Sequence, residues 1–127
     1  MGKLVGKVKS GINDLSYRMK AVPGLLDAYH KKTRLRLYPG SLNIELEEVW
    51  NLPQKTIRLE KEEYGGQVSV SLVPCQIYDT KAYIVRTDKV ERGEVPTHPK
   101  TTIEIVSDVG LRDKYDLKDG DIVEIVI

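Results

Sequence analysis

Turn signals that recur along the whole chain are the sequence feature that most restricts its fold. Glycine, proline, asparagine and aspartate separate short runs in which apolar and polar residues alternate. An alternation with a period of two predicts a strand. The predicted strands cover residues 4–10, 41–46, 57–59, 68–78, 82–86, 102–106 and 122–127. Many short strands with one or two short helices are typical of a small, mostly antiparallel barrel.

The strongest helix prediction covers residues 23–33. Pro23 suits a first helical turn, because its missing N–H would have no partner within the helix there. Lys31 and Lys32 lie at the end of the segment, where positive charge complements the helix dipole. A second, shorter helical turn is predicted at 111–115. The polar segment 89–100 is predicted to be a loop that is well placed for a ligand contact.

Composition excludes several classes of protein. The chain has 127 residues and a net charge of +1, so we predict one globular domain, 1–127, without the basic field of a non-specific nucleic-acid binder. The single cysteine excludes an intramolecular disulfide and a thiolate metal cage, and with only two histidines we expect no dedicated transition-metal site. No apolar run is long enough to cross a membrane. We expect a cytoplasmic monomer with neither a nucleic-acid nor a membrane partner.

The turn and strand at 37–46 form the most informative polar cluster. Pro39 and Gly40 make a turn, and the alternation that follows places Ser41 and Asn43 on the side of the strand opposite the apolar residues. We expect that side to be exposed. A hydroxyl and a carboxamide are neutral oxygen ligands that suit Mg²⁺ or phosphate oxygens. The alternative is an ordinary hairpin with a polar outer face.

Two further polar turns resemble ligand sites. Residues 11–16 form a loop whose backbone N–H groups can bind phosphate. In residues 109–112, a glycine turn meets a helix start beside the guanidinium of Arg112, which suits an anion. The alternatives are an ordinary loop and a surface arginine paired with Asp113 or Asp116. The phosphate-loop, dinucleotide-binding, zinc-protease and serine-hydrolase motifs are all absent.

The order of these segments resembles archaeal-type CTP-dependent riboflavin kinases over nearly the whole chain. The most specific matches are residues 38–43, close to a Y-x-G-T-L-N motif, and residues 111–121. Residues 6–11, 70–77, 97–98 and 103–105 also match. The resemblance implies a six-stranded cradle-loop barrel that transfers the γ-phosphoryl group of CTP to the 5′-hydroxyl of riboflavin. The products are FMN and CDP, and Mg²⁺ is required.

The resemblance also assigns site residues. It implies that Ser41 and Asn43 ligate Mg²⁺, and that Thr97 and Glu104 contact the flavin. Glu104 is the candidate catalytic residue, either orienting the acceptor or acting as a base. The implied nucleotide-binding residues are Gly11, Ile12, Asn13, Asp14, Leu15, Ser16, Val109, Gly110, Leu111 and Arg112.

One departure from the family pattern leaves alternatives open. Asn13 and Leu15 stand where the family's first loop has glycines, and leucine adopts left-handed dihedral angles only at a cost. A barrel that binds flavin or nucleotide without transferring phosphate is therefore the first alternative. A nucleic-acid-binding barrel is the second, and the basic segment 31–36 is its only support.

Overall fold

The computed structural model describes residues 2–10, 22, 24–94 and 98–127. The strands are β1 (Lys3–Lys9), β2 (Leu42–Leu46), β3 (Ile57–Leu59), β4 (Val70–Ile77), β5 (Thr80–Thr87), β6 (Thr102–Val106) and β7 (Ile122–Val126). The helices are α1 (Leu25–Thr33), α2 (Asp88–Glu91) and α3 (Leu111–Tyr115), and a 3₁₀ turn covers Lys61–Glu63. No helix among these residues is long and apolar enough to span a membrane.

The strands close into a six-stranded antiparallel barrel, which confirms the predicted fold class. The order around the barrel is β4-β5-β6-β2-β1-β7, and β7 returns to pair with β4. Strand β3 lies outside this ring and pairs with the first half of β4. Three short helices occur among the described residues, where one or two were predicted.

Pro74 lies within β4 and does not interrupt the strand. Pairing with β5 continues through Pro74, which faces Tyr83. The other edge of β4 pairs with β3 at residues 70–72 and with β7 at residues 76–77. Pro74 lies between these two pairings, where its missing N–H costs no ladder hydrogen bond.

Apolar side chains pack on both sides of the barrel wall. Leu42, Ile44 and Leu46 of β2 point into the barrel, as their alternation predicted, and join the core that fills it. A second core lies outside the wall, where Leu25 and Tyr29 of α1 cover strands β3 to β6. Each fully buried aliphatic side chain of this kind contributes about 1.5–3 kcal/mol. Much of the outer surface of the sheet is therefore not exposed to solvent.

Arg86 is buried near the end of β5 and is only 1% exposed. Its guanidinium donates hydrogen bonds to the backbone oxygens of Trp50, Lys100 and Thr102. The same group lies 5.0 Å from the centroid of the Trp50 ring and 3.5 Å from Glu91 Oε2. Arg86 thereby joins the segment after β2, the turn before β6 and helix α2.

Helix α2 corrects the prediction of a loop over 89–100, because residues 88–91 are helical. The hydroxyl oxygen of Thr87 accepts a hydrogen bond from the backbone N–H of Val90 and caps this helix. Helix α1 ends where predicted, and Arg34 follows it in the left-handed conformation with φ 65°. The backbone N–H of Arg34 donates to the carbonyl oxygen of His30.

Candidate functional site

Asn43 stands at the centre of a polar row that crosses three strands. Its register partners are Lys9 on β1 and Glu104 on β6. Asn43 is only 7% exposed, which corrects the expectation of an exposed strand face. Its side chain makes no hydrogen bond within the described part of the chain. Among the described residues, the one buried side-chain polar atom without a partner is Glu91 Oε2, so the carboxamide of Asn43 still meets solvent and is open to a ligand.

Ser41, two residues before Asn43, lines a cavity of about 280 Å³ that we call the β2–α3 cavity. Residues 109–112, the third polar segment of the sequence, line the same cavity. Its described lining residues are Tyr38, Pro39, Gly40, Ser41, Leu42, Ile105, Ser107, Val109, Gly110, Leu111, Arg112 and Asp113. The fold thus brings two of the three polar segments together.

The guanidinium of Arg112 donates a hydrogen bond to Asp119, rather than pairing with Asp113 or Asp116. Hydrogen bonding from Arg112 lowers the pKa of the Asp119 carboxyl. The other carboxylate oxygen of Asp119 accepts a hydrogen bond of 2.7 Å from the hydroxyl of Ser10. Ser10 directly precedes the loop at 11–16, so Asp119 connects the start of that loop to α3.

Glu104 lies beside His98 on the outer face of β6. The distance from His98 Nε2 to Glu104 Oε1 is 3.5 Å, and both side chains are mostly buried. His98 Nδ1 lies 2.9 Å from the backbone oxygen of Pro99, which accepts only, so the Nδ1 atom carries the hydrogen. Burial lowers the pKa of His98, and the neutral imidazole presents its Nε2 lone pair to Glu104.

Glu45 organises the residues next to this polar row. It accepts hydrogen bonds from Thr102 Oγ1 at 2.8 Å and from Lys9 Nζ at 3.3 Å. Burial opposes ionisation of Glu45, but these hydrogen bonds outweigh it and lower the pKa of the carboxyl. Lys9 is therefore held beside Asn43 with part of its charge already compensated.

The residues at 41 and 43 fit a magnesium ion only together with phosphate. A hydroxyl and a carboxamide bring oxygen ligands but no charge, and Mg²⁺ in proteins is usually shared with substrate phosphates. The carboxamide of Asn43, which makes no hydrogen bond with the described residues, agrees with such a role. Among residues 2–10, 22, 24–94 and 98–127, no group of three or more His, Cys, Asp or Glu side chains forms a metal cage.

Two predicted contacts lie outside the described residues: the nucleotide-binding loop Gly11, Ile12, Asn13, Asp14, Leu15 and Ser16, and the flavin contact Thr97.

Cys75 points into the barrel, where burial raises the pKa of its thiol to about 12. A thiol of that pKa is not a nucleophile at neutral pH.

Three residues of this site could not be assigned to it from sequence patterns. Lys9 reaches Asn43 only through the strand register, which cannot be read from one sequence. His98 and Tyr38 lie within segments that resemble the family. Their spacing does not indicate that His98 lies beside Glu104 or that Tyr38 lines the cavity.

Comparison with known proteins agrees with this geometry. The profile of the CTP-dependent riboflavin kinases, described as a domain of unknown function (DUF120), matches residues 8–127. The chain belongs to the CTP-dependent riboflavin kinase family. The match includes Ser41, Asn43, Glu104 and residues 109–112.

Individual riboflavin kinases match the chain over most of its length. The riboflavin kinase of Staphylothermus marinus is 30% identical over 127 residues, which cover 98% of this chain and 91% of that protein. The riboflavin kinase of Archaeoglobus fulgidus is 32% identical over 133 residues, covering 98% of this chain and 54% of that protein. That of Methanocella arvoryzae is 28% identical, covering 96% and 55%. The chain thus spans little more than half the length of several relatives it matches.

Proposed function

We propose that this member of the CTP-dependent riboflavin kinase family transfers the γ-phosphoryl group of CTP to the 5′-hydroxyl of riboflavin, giving FMN and CDP. The observation that carries the proposal is the β2–α3 cavity, in which Ser41 meets residues 109–112. Asn43 follows Ser41 on the same strand face, and Glu104 faces Asn43 on the neighbouring strand. Nucleotide, phosphate and acceptor sites can thus adjoin one another.

Phosphoryl transfer depends on positioning and on neutralisation of charge more than on covalent chemistry. Ser41 and Asn43 would hold Mg²⁺, which when bound offsets the charge of the donor phosphates. Lys9 adds a fixed positive charge next to Asn43. Asp119 holds Ser10, at the end of β1, and Arg112 of α3 together beside the proposed nucleotide site.

Glu104 is the residue of this face best placed to act on the acceptor. It lies on the barrel wall beside Asn43, and His98 limits its freedom. A carboxylate there can accept a hydrogen bond from the 5′-hydroxyl and orient it, or take its proton as transfer proceeds. Glu104→Gln separates the two roles. A base predicts a fall in kcat of about 10²–10⁴-fold, whereas an orienting group predicts mainly a higher KM for riboflavin.

The proposed reaction is tested by direct assay. Purified protein is incubated with riboflavin and Mg²⁺ plus CTP, UTP, ATP or GTP, and FMN is separated chromatographically. We expect FMN with CTP, and none after a chelator removes the metal ion. Absence of FMN with every nucleotide would overturn the kinase proposal.

A barrel that binds without transferring phosphate is the second candidate, favoured by Asn13 and Leu15 in the first loop. Titration calorimetry with FMN and CDP distinguishes it from the kinase. Tight binding of either ligand without FMN formation would support the binding barrel.

A further inference from the structure

We propose that Tyr38 and Asp113 read the base of the donor nucleotide. Tyr38 stacks on the base, and the Asp113 carboxylate accepts a hydrogen bond from an exocyclic amino group. The pair would select an amino-bearing pyrimidine over its keto counterpart. This inference rests on the proposed function, because it assigns the nucleoside of the same donor to the β2–α3 cavity.

The ring of Tyr38 is exposed but held in place. Tyr38 is 47% exposed, and its backbone N–H donates to the carbonyl oxygen of Ser107 at 2.8 Å. A Cβ atom built on Gly110 would lie 3.2–3.5 Å from three atoms of the ring, so one face of the ring rests on that glycine. The opposite face is left for a second planar group. Any nucleobase can stack on such a ring, so stacking adds affinity without selecting one base over another.

The charges of the cavity favour the nucleoside over the phosphates. Arg112 is the only cationic side chain among the described lining residues, and Asp119 already pairs with it. Asp113 adds a negative charge and forms no hydrogen bond or ion pair with any residue that the structure describes. Phosphates are therefore better placed toward Lys9 and Asn43, which leaves the neutral sugar and base for the end near α3.

An unpaired carboxylate next to a stacking platform discriminates between bases. A carboxylate accepts hydrogen bonds and cannot donate them, so it pairs with the amino group of cytosine. Uracil presents a carbonyl oxygen at the same position, and two hydrogen-bond acceptors would then face each other. Sites that hydrogen-bond a substrate group reject analogues that lack it more strongly than apolar pockets do.

Binding measurements test the inference without requiring turnover. The dissociation constants of CDP and UDP are measured by titration calorimetry for the parent protein, Asp113→Asn, Tyr38→Ala and Tyr38→Phe. We expect the parent to prefer CDP, and Asp113→Asn to reduce that preference at least tenfold, because a carboxamide can also donate to uracil. Tyr38→Ala should weaken both nucleotides about tenfold, while Tyr38→Phe keeps their affinity.

Asp116→Asn is the matched control, since Asp116 follows α3 but does not line the cavity. It should leave both constants unchanged. An unchanged ratio of CDP to UDP affinity in Asp113→Asn, or unchanged affinity in Tyr38→Ala, would overturn the inference. If the parent protein forms FMN while the ratio is unchanged, the proposed function stands and only the base-reading pair fails. If neither nucleotide binds, both fail.

Discussion

His98 directs its Nε2 atom at the carboxylate of Glu104, 3.5 Å away, while its Nδ1 atom lies 2.9 Å from the backbone oxygen of Pro99. The hydrogen bond at Nδ1 thus orients the ring, and Nε2, which carries the lone pair of the neutral imidazole, adjoins the carboxylate. The ring lies between the turn before β6 and the carboxylate of Glu104, the register partner of Asn43.

His98 should make folding stability depend on pH. Burial lowers the pKa of His98 in the folded protein below its value of about 6.5 in the unfolded chain. As the pH falls below 6.5, the unfolded state takes up a proton that the folded state does not, so stability decreases toward acid. In His98→Gln this contribution is lost, and thermal midpoints measured from pH 8 to pH 5 should fall less steeply. Parallel curves for the two proteins would contradict the prediction.

Asn43→Ala should separate activity from stability. The Asn43 side chain is buried but forms no hydrogen bond with the described residues, so its truncation should change the free energy of unfolding by about 1 kcal/mol or less. If the proposed function is right, FMN formation should nevertheless be lost, because the proposed Mg²⁺ site loses one of its two protein ligands. Asn51→Ala, the same change at an exposed asparagine, is the control and should keep activity. A strongly destabilised Asn43→Ala protein would show that the side chain is structural.

Arg86→Met should destabilise the barrel by about 3–5 kcal/mol, because it removes the buried guanidinium that donates to the carbonyl oxygens of Trp50, Lys100 and Thr102 and lies 3.5 Å from Glu91 Oε2. Urea unfolding followed by the fluorescence of Trp50, the single tryptophan, reports the loss. The exposed Arg92 provides the control, since Arg92→Met breaks only a surface pair with Glu94. Equal effects of the two substitutions would refute a structural role for Arg86.

Gly6→Ala should disrupt the pairing of β1 with β2. A Cβ atom at Gly6 would lie 2.6 Å from the backbone oxygen of Glu45 and 2.6 Å from the Ile44 side chain, and the backbone cannot move without breaking the ladder. We expect a loss of at least 1–3 kcal/mol, measured by thermal unfolding. Gly2→Ala meets only the side chain of Ile127 and should be nearly neutral. Similar stability of both variants would be inconsistent with the close approach.

The strands, α1 and α3 could be predicted from the local pattern of the sequence, because alternation and turn residues act over only a few positions. The inward direction of Leu42, Ile44 and Leu46 followed from it. The burial of Asn43 did not, because the residues that cover the outer face of β2 come from other parts of the chain. Arg86 illustrates the same limit, since only the closed barrel places its charge among carbonyl groups of three segments.

The polar segments of the candidate site could be predicted from the sequence, but their arrangement around one cavity could not. Ser41 and residues 109–112 carried polar groups that were visible in the sequence, whereas their common cavity depends on the pairing of β2 with β6. The hydrogen bond from Ser10 to Asp119 joins residues near opposite ends of the chain. No local signal indicates such a contact, because it arises only once β7 returns beside β1.

The barrel closes through its shortest strand pair. Strands β4 and β7 share two residue pairs, fewer than any other two neighbouring strands. In the ring of six strands, the pair directly opposite this closure is β2–β6, which carries Asn43 and Glu104. Transient opening should begin at the least paired strands, so the amides of residues 76–77 and 125–126 should exchange with solvent before those of β2 and β6. The barrel can thus open locally between β4 and β7 while the β2–β6 pair, which carries Asn43 and Glu104, stays formed.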